Sequence, residues 1–164
     1  MILRDELPDE GPAIHAMTDA AFEGKAYSDG TEGAIVDGLR QSGDLVFSKV
    51  ADDGGLVGHV ALSPADVAGQ DGWLGLGPIS VAPGRQKQGI GTQLMDAAIA
   101  YAKETGAKGI VLLGDPAYYG RFGFVADCGL TYLTVSTEYV QALTFEGEPP
   151  SGEITFAPAL QEAG

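Results

Sequence analysis

One stretch constrains the fold more than any other: Val81-Ala82-Pro83-Gly84-Arg85-Gln86-Lys87-Gln88-Gly89-Ile90-Gly91-Thr92. An apolar run ends at Val81, Pro83-Gly84 closes it, and a helical pattern begins at Gly89. Ile90, Leu94, Ala97, Ala98 and Tyr101 fall on one stripe of that helix, and Gly106 stands where a C-terminal terminator belongs. The chain must therefore pass from a strand, through a glycine-bearing loop, into a long helix. The first turn of such a helix carries unpaired N–H groups and the positive end of the macrodipole, which together suit an anion. Gly89 and Gly91 have no Cβ, so a phosphate could approach the backbone closely. Arg85 and Lys87 place two of the nine basic residues here, in a chain with 23 acids and a net charge of −14. A plain strand–helix connection with solvated charges is the alternative that these residues alone leave open.

The 164 residues suit one domain over 1–164 with a sizeable core. Ahead of the loop, Ile2–Arg4 reads as a short strand. Ile14, Met17, Ala21 and Phe22, then Ile35, Val36 and Leu39, recur at helical spacing. Asp44–Val50 and Leu56–Leu62 are apolar, β-branched runs separated by Asp52-Asp53-Gly54-Gly55, a hairpin signal, and Trp73–Val81 is a third strand. Beyond the long helix, Lys108–Leu113 reads as a strand and Pro116–Phe122 as a short helix. Phe124–Ala126, Leu130–Val135 and Ile154–Phe156 are further short strands, Glu146–Gly152 is a loop, and the last few residues are expected to fray. The expected class is a mixed α/β (α+β) domain around one sheet.

Charge and cysteine count remove several function classes. At −14, a phosphate backbone or an anionic membrane surface would meet repulsion nearly everywhere, so neither is an expected partner. Cys128 is the one cysteine, which forbids an internal disulfide and a CxxC metal framework. Met1–Pro12 holds four acids and no apolar h-region, and no stretch approaches 18 apolar residues. A soluble, cytoplasmic protein without a metal is the expectation.

Neither standard nucleotide fingerprint fits: GxxxxGK[ST] is absent, and Leu94 stands at the third glycine of GxGxxG. What fits is Q/R-x-x-G-x-G/A, here Gln86-Lys87-Gln88-Gly89-Ile90-Gly91. Downstream, Tyr119-Gly120-Arg121-Phe122-Gly123-Phe124 matches Y-x-x-x-G-F. The two motifs, in this order with the helix between them, resemble the GNAT family of N-acetyltransferases. Leu76-Gly77-Pro78-Ile79 and Gly114-Asp115-Pro116-Ala117-Tyr118-Tyr119 are similar to one bacterial branch of predicted acetyltransferases. The resemblance covers roughly residues 1–126, with its specific part in 76–124. It implies a splayed central mixed sheet with helices on both faces, completed by the part after about residue 127. Acetyl-CoA would lie between the Trp73–Val81 and Lys108–Leu113 strands. Ile79, Ser80 and Val81 would meet the pantetheine arm through backbone groups. Backbone amides of Gln86, Lys87, Gln88, Gly89, Ile90, Gly91 and Thr92 would hold the pyrophosphate. Gln86 stands where arginine is common in the family, which removes one charge from that grip.

The reaction this implies is direct attack by a primary amine on the thioester in a ternary complex. It needs a proton donor for the departing thiolate. A phenol with a pKa of ~10 is protonated at neutral pH and can supply a thiolate whose acid has a pKa of ~8.5. Tyr119 matches the family position for that role, with Tyr118 the competing neighbour. Asp115, Glu23 and His59 are candidate bases, beside a water chain with no single base. His59 also reads as a core histidine, and His15 as a helix-surface residue. Cys128 has no base spacing that would make it an acyl carrier. The acceptor wall is expected from the first two helices and late loops, and Ile154–Phe156 could pair across a homodimer. A catalytically silent acyl-CoA-binding sensor or interaction module is the alternative function.

Overall fold

The Asp52-Asp53-Gly54-Gly55 turn closes as its residues require. Asp52 Oδ1 accepts the Gly55 N–H at 3.1 Å, and the Asp53 N–H reaches the Gly55 carbonyl at 2.9 Å. Residues 1–25 and 28–162 are described by this computed structural model. The turn joins β2 (Phe47–Asp52) to β3 (Leu56–Val67), flanked by β1 (Ile2–Asp5) and β4 (Gln70–Val81), all antiparallel. β4 then runs parallel to β5 (Gly109–Leu113). Three short strands follow: β6 (Val125–Ala126), β7 (Leu130–Thr131) and β8 (Val140–Thr144). The sheet order is β1-β2-β3-β4-β5-β8-β6, and β9 (Gly152–Phe156) pairs with β3 and β7.

Helices cover both faces. Ile14 of α1 (Gly11–Phe22) and Val36 of α2 (Glu32–Ser42) pack over Val50 of β2, while Leu39 of α2 packs on Ala61 of β3. The opposite face carries α3 (Ile90–Glu104), whose Ile90, Leu94, Met95, Ala98 and Ala102 are buried against Val60, Leu62, Leu76 and Ile110. The sequence stripe is therefore right in its axis but shifted. Ala97 and Tyr101 flank the contact, and Tyr101 donates its hydroxyl to the Val46 carbonyl at 3.1 Å. A short helix, α4 (Pro116–Tyr119), continues as a single 3-10 turn over Gly120–Phe122.

The later part of the chain adds to what the sequence reading assigned. β8 has no counterpart among the strands read from the sequence; it fills the far edge of β5, with Val111 opposite Ala142. Its Val-Gln-Ala-Leu-Thr run is short and has a polar residue, Gln141, at a buried position, so no alternation marks it. The tail is expected to fray, but Pro158–Glu162 forms α5, in contact with α2, and the last two residues lie outside the described ones. Ile154–Phe156 lies antiparallel to Val67–Ala65 of its own chain.

Gly58 lets α3 sit this close. A Cβ there would lie 2.9 Å from Leu94 Cδ1, 3.0 Å from Ile90 Cγ2 and 3.3 Å from the Ser80 carbonyl. Gly58→Val should therefore destabilise the fold by about 1–3 kcal/mol through overpacking, read as a lower urea midpoint at unchanged m-value. An unchanged midpoint would show that α3 does not depend on this contact.

Candidate active site

β4 and β5 pair at only three positions: Trp73 opposite Gly109, Leu74 opposite Ile110 and Gly75 opposite Val111. From Leu76 onward β4 keeps its ladder with β3 but leaves β5, so the sheet opens into a wedge. Ile79, Ser80 and Val81 form the β4 wall of that wedge. The side chains of Ile79 and Val81 lean toward the α3 core, whereas Ser80 is buried on the other face beside Met17 and Thr18 of α1. An edge of extended backbone facing no strand is what an extended ligand arm can pair with.

The loop brings its amides to the mouth of the wedge. Lys87 and Gly89 both take positive φ, +64° and +85°, which turns the chain sharply before the helix. Lys87 adopts this although it is not glycine; Gly89 does so without strain. The first bond into α3 is from Gln93 N–H to the Gly89 carbonyl at 3.1 Å, so Ile90, Gly91 and Thr92 present N–H groups ahead of it. No acidic side chain occupies that first turn and no side chain caps it. Gln88, Gly89 and Lys87 are exposed, while Ile90 anchors the turn in the core. Gln86 folds back so that its amide donates to the Val81 carbonyl at 3.3 Å. Arg85 does not face a ligand: it holds Asp53 at 2.7 Å and Gln88 Oε1 at 3.0 Å, tying the loop to the β2–β3 turn.

The paired tyrosines part ways. Asp115 caps α4 by accepting the Ala117 N–H at 2.9 Å, which fixes the direction of both rings. Tyr119 sets the edge of its ring against Gly114, just past β5, where an added Cβ would come within 2.3 Å of its Cε2. It thus stands at the β5 side of the wedge, with Phe124 at 6.0 Å behind it. Gln141 Nε2 donates to the Gly114 carbonyl at 2.8 Å and steadies that seat. Tyr118 turns to α3 instead, its hydroxyl 2.9 Å from where a Cβ on Gly91 would be, and burial pushes its phenol up.

The base candidates separate as clearly. Asp115 is engaged as a helix cap. Glu23 is exposed at the end of α1, on a cleft of about 540 Å³ that Asp19, Phe22, Lys25 and Ser28 also line. His59 is 0% exposed on β3, so no substrate reaches it. Its Nε2 meets Ser48 Oγ at 2.8 Å; Ser48 in turn donates to Glu6, and Glu6 holds Arg40 at 2.8 Å. Burial pushes Glu6 up, but its hydrogen bonds from Arg40 and Ser48 outweigh that and leave it below the usual carboxylate range. His15 is more than surface decoration: Asp37 at 2.6 Å and Asp19 at 3.0 Å clamp it between α1 and α2, and the bond to Asp37 raises its pKa. The Asp37 link does not show in the sequence because the partners are 22 positions apart, whereas the Asp19 link is a local i,i+4 pair. Cys128 is half-buried with its thiol toward the Val125 carbonyl at 3.6 Å. Among the described residues no group of three metal-ligating side chains forms, and no helix is long and apolar enough to cross a membrane.

This geometry has close counterparts. Residues 12–124 match the model of the Acetyltransferase (GNAT) family. The uncharacterized N-acetyltransferase YhbS of Escherichia coli is 39% identical over 127 residues, covering 76% of this chain and 73% of that protein. The crystal structure of a GNAT family acetyltransferase from Brucella melitensis in complex with acetyl-CoA superposes with a TM-score of 0.86 at 42% identity, over 97% of both chains. That of YhbS from Escherichia coli in complex with CoA gives 0.88 at 31% identity, covering 98% of this chain and 91% of the other.

The sealed histidine has a consequence for acid stability. Burial holds the folded His59 imidazole down at about 4, against 6.5 in the open chain, with Glu6 opposing that shift and Arg40 adding to it. As pH falls, the unfolded chain takes up this proton first. Stability is thus intact above pH 6.5 and declines toward pH 4, by on the order of 3 kcal/mol. His15 acts in the opposite sense, so the comparison to make is between wild type and His59→Gln. Urea unfolding between pH 7 and 4 should show the wild type losing more stability than the variant; parallel curves would contradict a buried neutral imidazole.

Proposed function

The chain belongs to the Acetyltransferase (GNAT) family, and on that premise we propose that it is an N-acetyltransferase that moves acetyl from acetyl-CoA to a primary amine by direct attack in a ternary complex. The observation that carries this reading is the wedge itself: β4 leaves β5 after Gly75, and the N-terminus of α3 stands at its mouth. Acetyl-CoA bound in the Brucella melitensis relative, and CoA bound in YhbS, support the choice of co-substrate.

Each part of the wedge has a task in that reaction. The amides of Gln86 to Thr92 take the pyrophosphate, helped by the helix dipole and by Lys87. The β4 edge at Ile79, Ser80 and Val81 receives the pantetheine arm, which requires Gln86 to give up the Val81 carbonyl. The amine nitrogen attacks the thioester carbonyl carbon, the C–S bond breaks, and the Tyr119 hydroxyl gives its proton to the leaving sulfur. The proton from the ammonium leaves through water. Asp115 is held by its helix and His59 is sealed, so Glu23, on the cleft below α1, is the carboxylate left to receive it. That cleft, with Asp19 and Glu23 on its rim, forms the acceptor wall. Cys128 takes no part. The cytoplasm, without nucleic-acid or membrane partners, is the setting that the charge supports.

Two substitutions test the reading. Gly91→Val puts a branched side chain into Tyr118 and into the pyrophosphate cradle, and should weaken CoA binding by more than ~10-fold. Tyr119→Phe keeps the ring on Gly114, so acetyl-CoA affinity should hold while kcat falls by roughly 10²–10⁴. Calorimetry and free-thiol release with a panel of amines measure both. Full kcat in Tyr119→Phe would mean that the sulfur takes its proton from water. CoA binding with no turnover of any amine would identify a silent binding module instead.

A further inference from the structure

Resting on the acyl-CoA reading of the wedge, we propose that Arg121 is the subsite for the 3′-phosphate of CoA, the phosphate on the adenosine ribose. In a chain with 23 acids, arginines are quickly claimed, and three of the four here are. Arg4 binds Glu10 and Asp52, Arg40 binds Glu6 and Asp37, and Arg85 binds Asp53. Arg121 is the one with no carboxylate partner among the described residues. Arg85, the loop's own arginine, is thereby lost to the ligand, and Gln86 adds no charge. Lys87 is the loop cation that stays unpaired among the described residues, too little for a ligand with three phosphate groups.

Arg121 is nonetheless held in place. Its Nε donates to the Tyr118 carbonyl at 3.1 Å, and its guanidinium lies over the Tyr118 ring, 4.7 Å from the centre. That ring is wedged between Phe122 at 5.5 Å and Tyr119 at 4.9 Å, with its hydroxyl against Gly91 in the first turn of α3. The stack fixes the plane of the guanidinium at an exposed position and leaves both terminal nitrogens without a hydrogen bond among the described residues. A flat, pre-oriented fork of this kind suits bidentate phosphate contact. One aromatic ring separates it from the α3 amides that take the pyrophosphate. Arg121 therefore serves the next phosphate outward rather than the same one, since the pantetheine end of the ligand runs inward along β4.

The test compares CoA with 3′-dephospho-CoA, by calorimetry, on wild type, Arg121→Gln and Arg121→Lys, with thermal unfolding of each variant as the folding control. Wild type should bind CoA at least ~10-fold more tightly than dephospho-CoA, a preference that shrinks as salt is raised. Arg121→Gln should lower CoA affinity to near that of dephospho-CoA and leave dephospho-CoA unchanged; Arg121→Lys should recover part of the preference. Equal weakening of both ligands would place Arg121 on the pyrophosphate and overturn the proposal. An undiminished preference in Arg121→Gln would overturn it too. Wild type that binds neither ligand would defeat the acyl-CoA reading itself, an outcome distinct from the other two.

Discussion

The close seat of α3 on the sheet is the contact on which the remainder depends. Gly58 leaves on β3 the space that Ile90 Cγ2 and Leu94 Cδ1 occupy, beside their packing on Val60 and Leu62. That contact decides where the N-terminus of α3 points. Because Ile90 is sunk in the core, the amides of Ile90, Gly91 and Thr92 open at the same level as the end of β4. Tyr118 then closes on Gly91 from the other side, which ties α4 and both tyrosines to the same turn. A helix raised by one side chain would keep its hydrophobic stripe and lose this alignment.

The acidic composition works differently on the two faces. On the α1–α2 face, acids are consumed in holding helices to strands: Arg40 with Glu6 and Asp37, Arg4 with Glu10 and Asp52, and His15 between Asp19 and Asp37. These partly exposed links are individually modest. Together with the chain from buried His59 through Ser48 to Glu6 they set the position of α1, and α1 borders the cleft that Asp19 and Glu23 line. On the α3 side, acid is absent from the first helical turn and cations gather, with Lys87 and Arg121 unpaired among the described residues. Folding thus separates the charge of a strongly anionic chain and leaves one small region with cations that no carboxylate holds among the described residues.

Much of this was legible in the sequence because it depends on local rules. The Asp-Asp-Gly-Gly turn, the helix stripe from Ile90, and the glycines at 89 and 91 each act within a few residues. The two motifs around α3 were enough to place the wedge. What escaped was non-local. β8 is recognisable only by the strand it pairs with, since a buried Gln141 breaks its pattern. His15 reads as a surface residue until α2 brings Asp37 against it. Arg85 looked like a phosphate ligand, but the β2–β3 turn delivers Asp53 to it from 32 positions away. Tyr118 and Tyr119 are adjacent in sequence, and only the cap at Asp115 and the gap at Gly114 send one to α3 and the other to the β5 wall.

We place acyl-CoA in the opening between β4 and β5, with the α3 N-terminus at its mouth. Backbone amide chemical shifts of the labelled protein, followed during titration with CoA, test it most directly. Binding there puts the largest shifts on Gln86–Thr92 and Leu76–Val81, with smaller ones at Tyr118–Arg121. Shifts concentrated instead on the cleft of about 460 Å³ that Glu6, Phe47, Lys49 and Tyr101 line, with the α3 N-terminus unmoved, would contradict it.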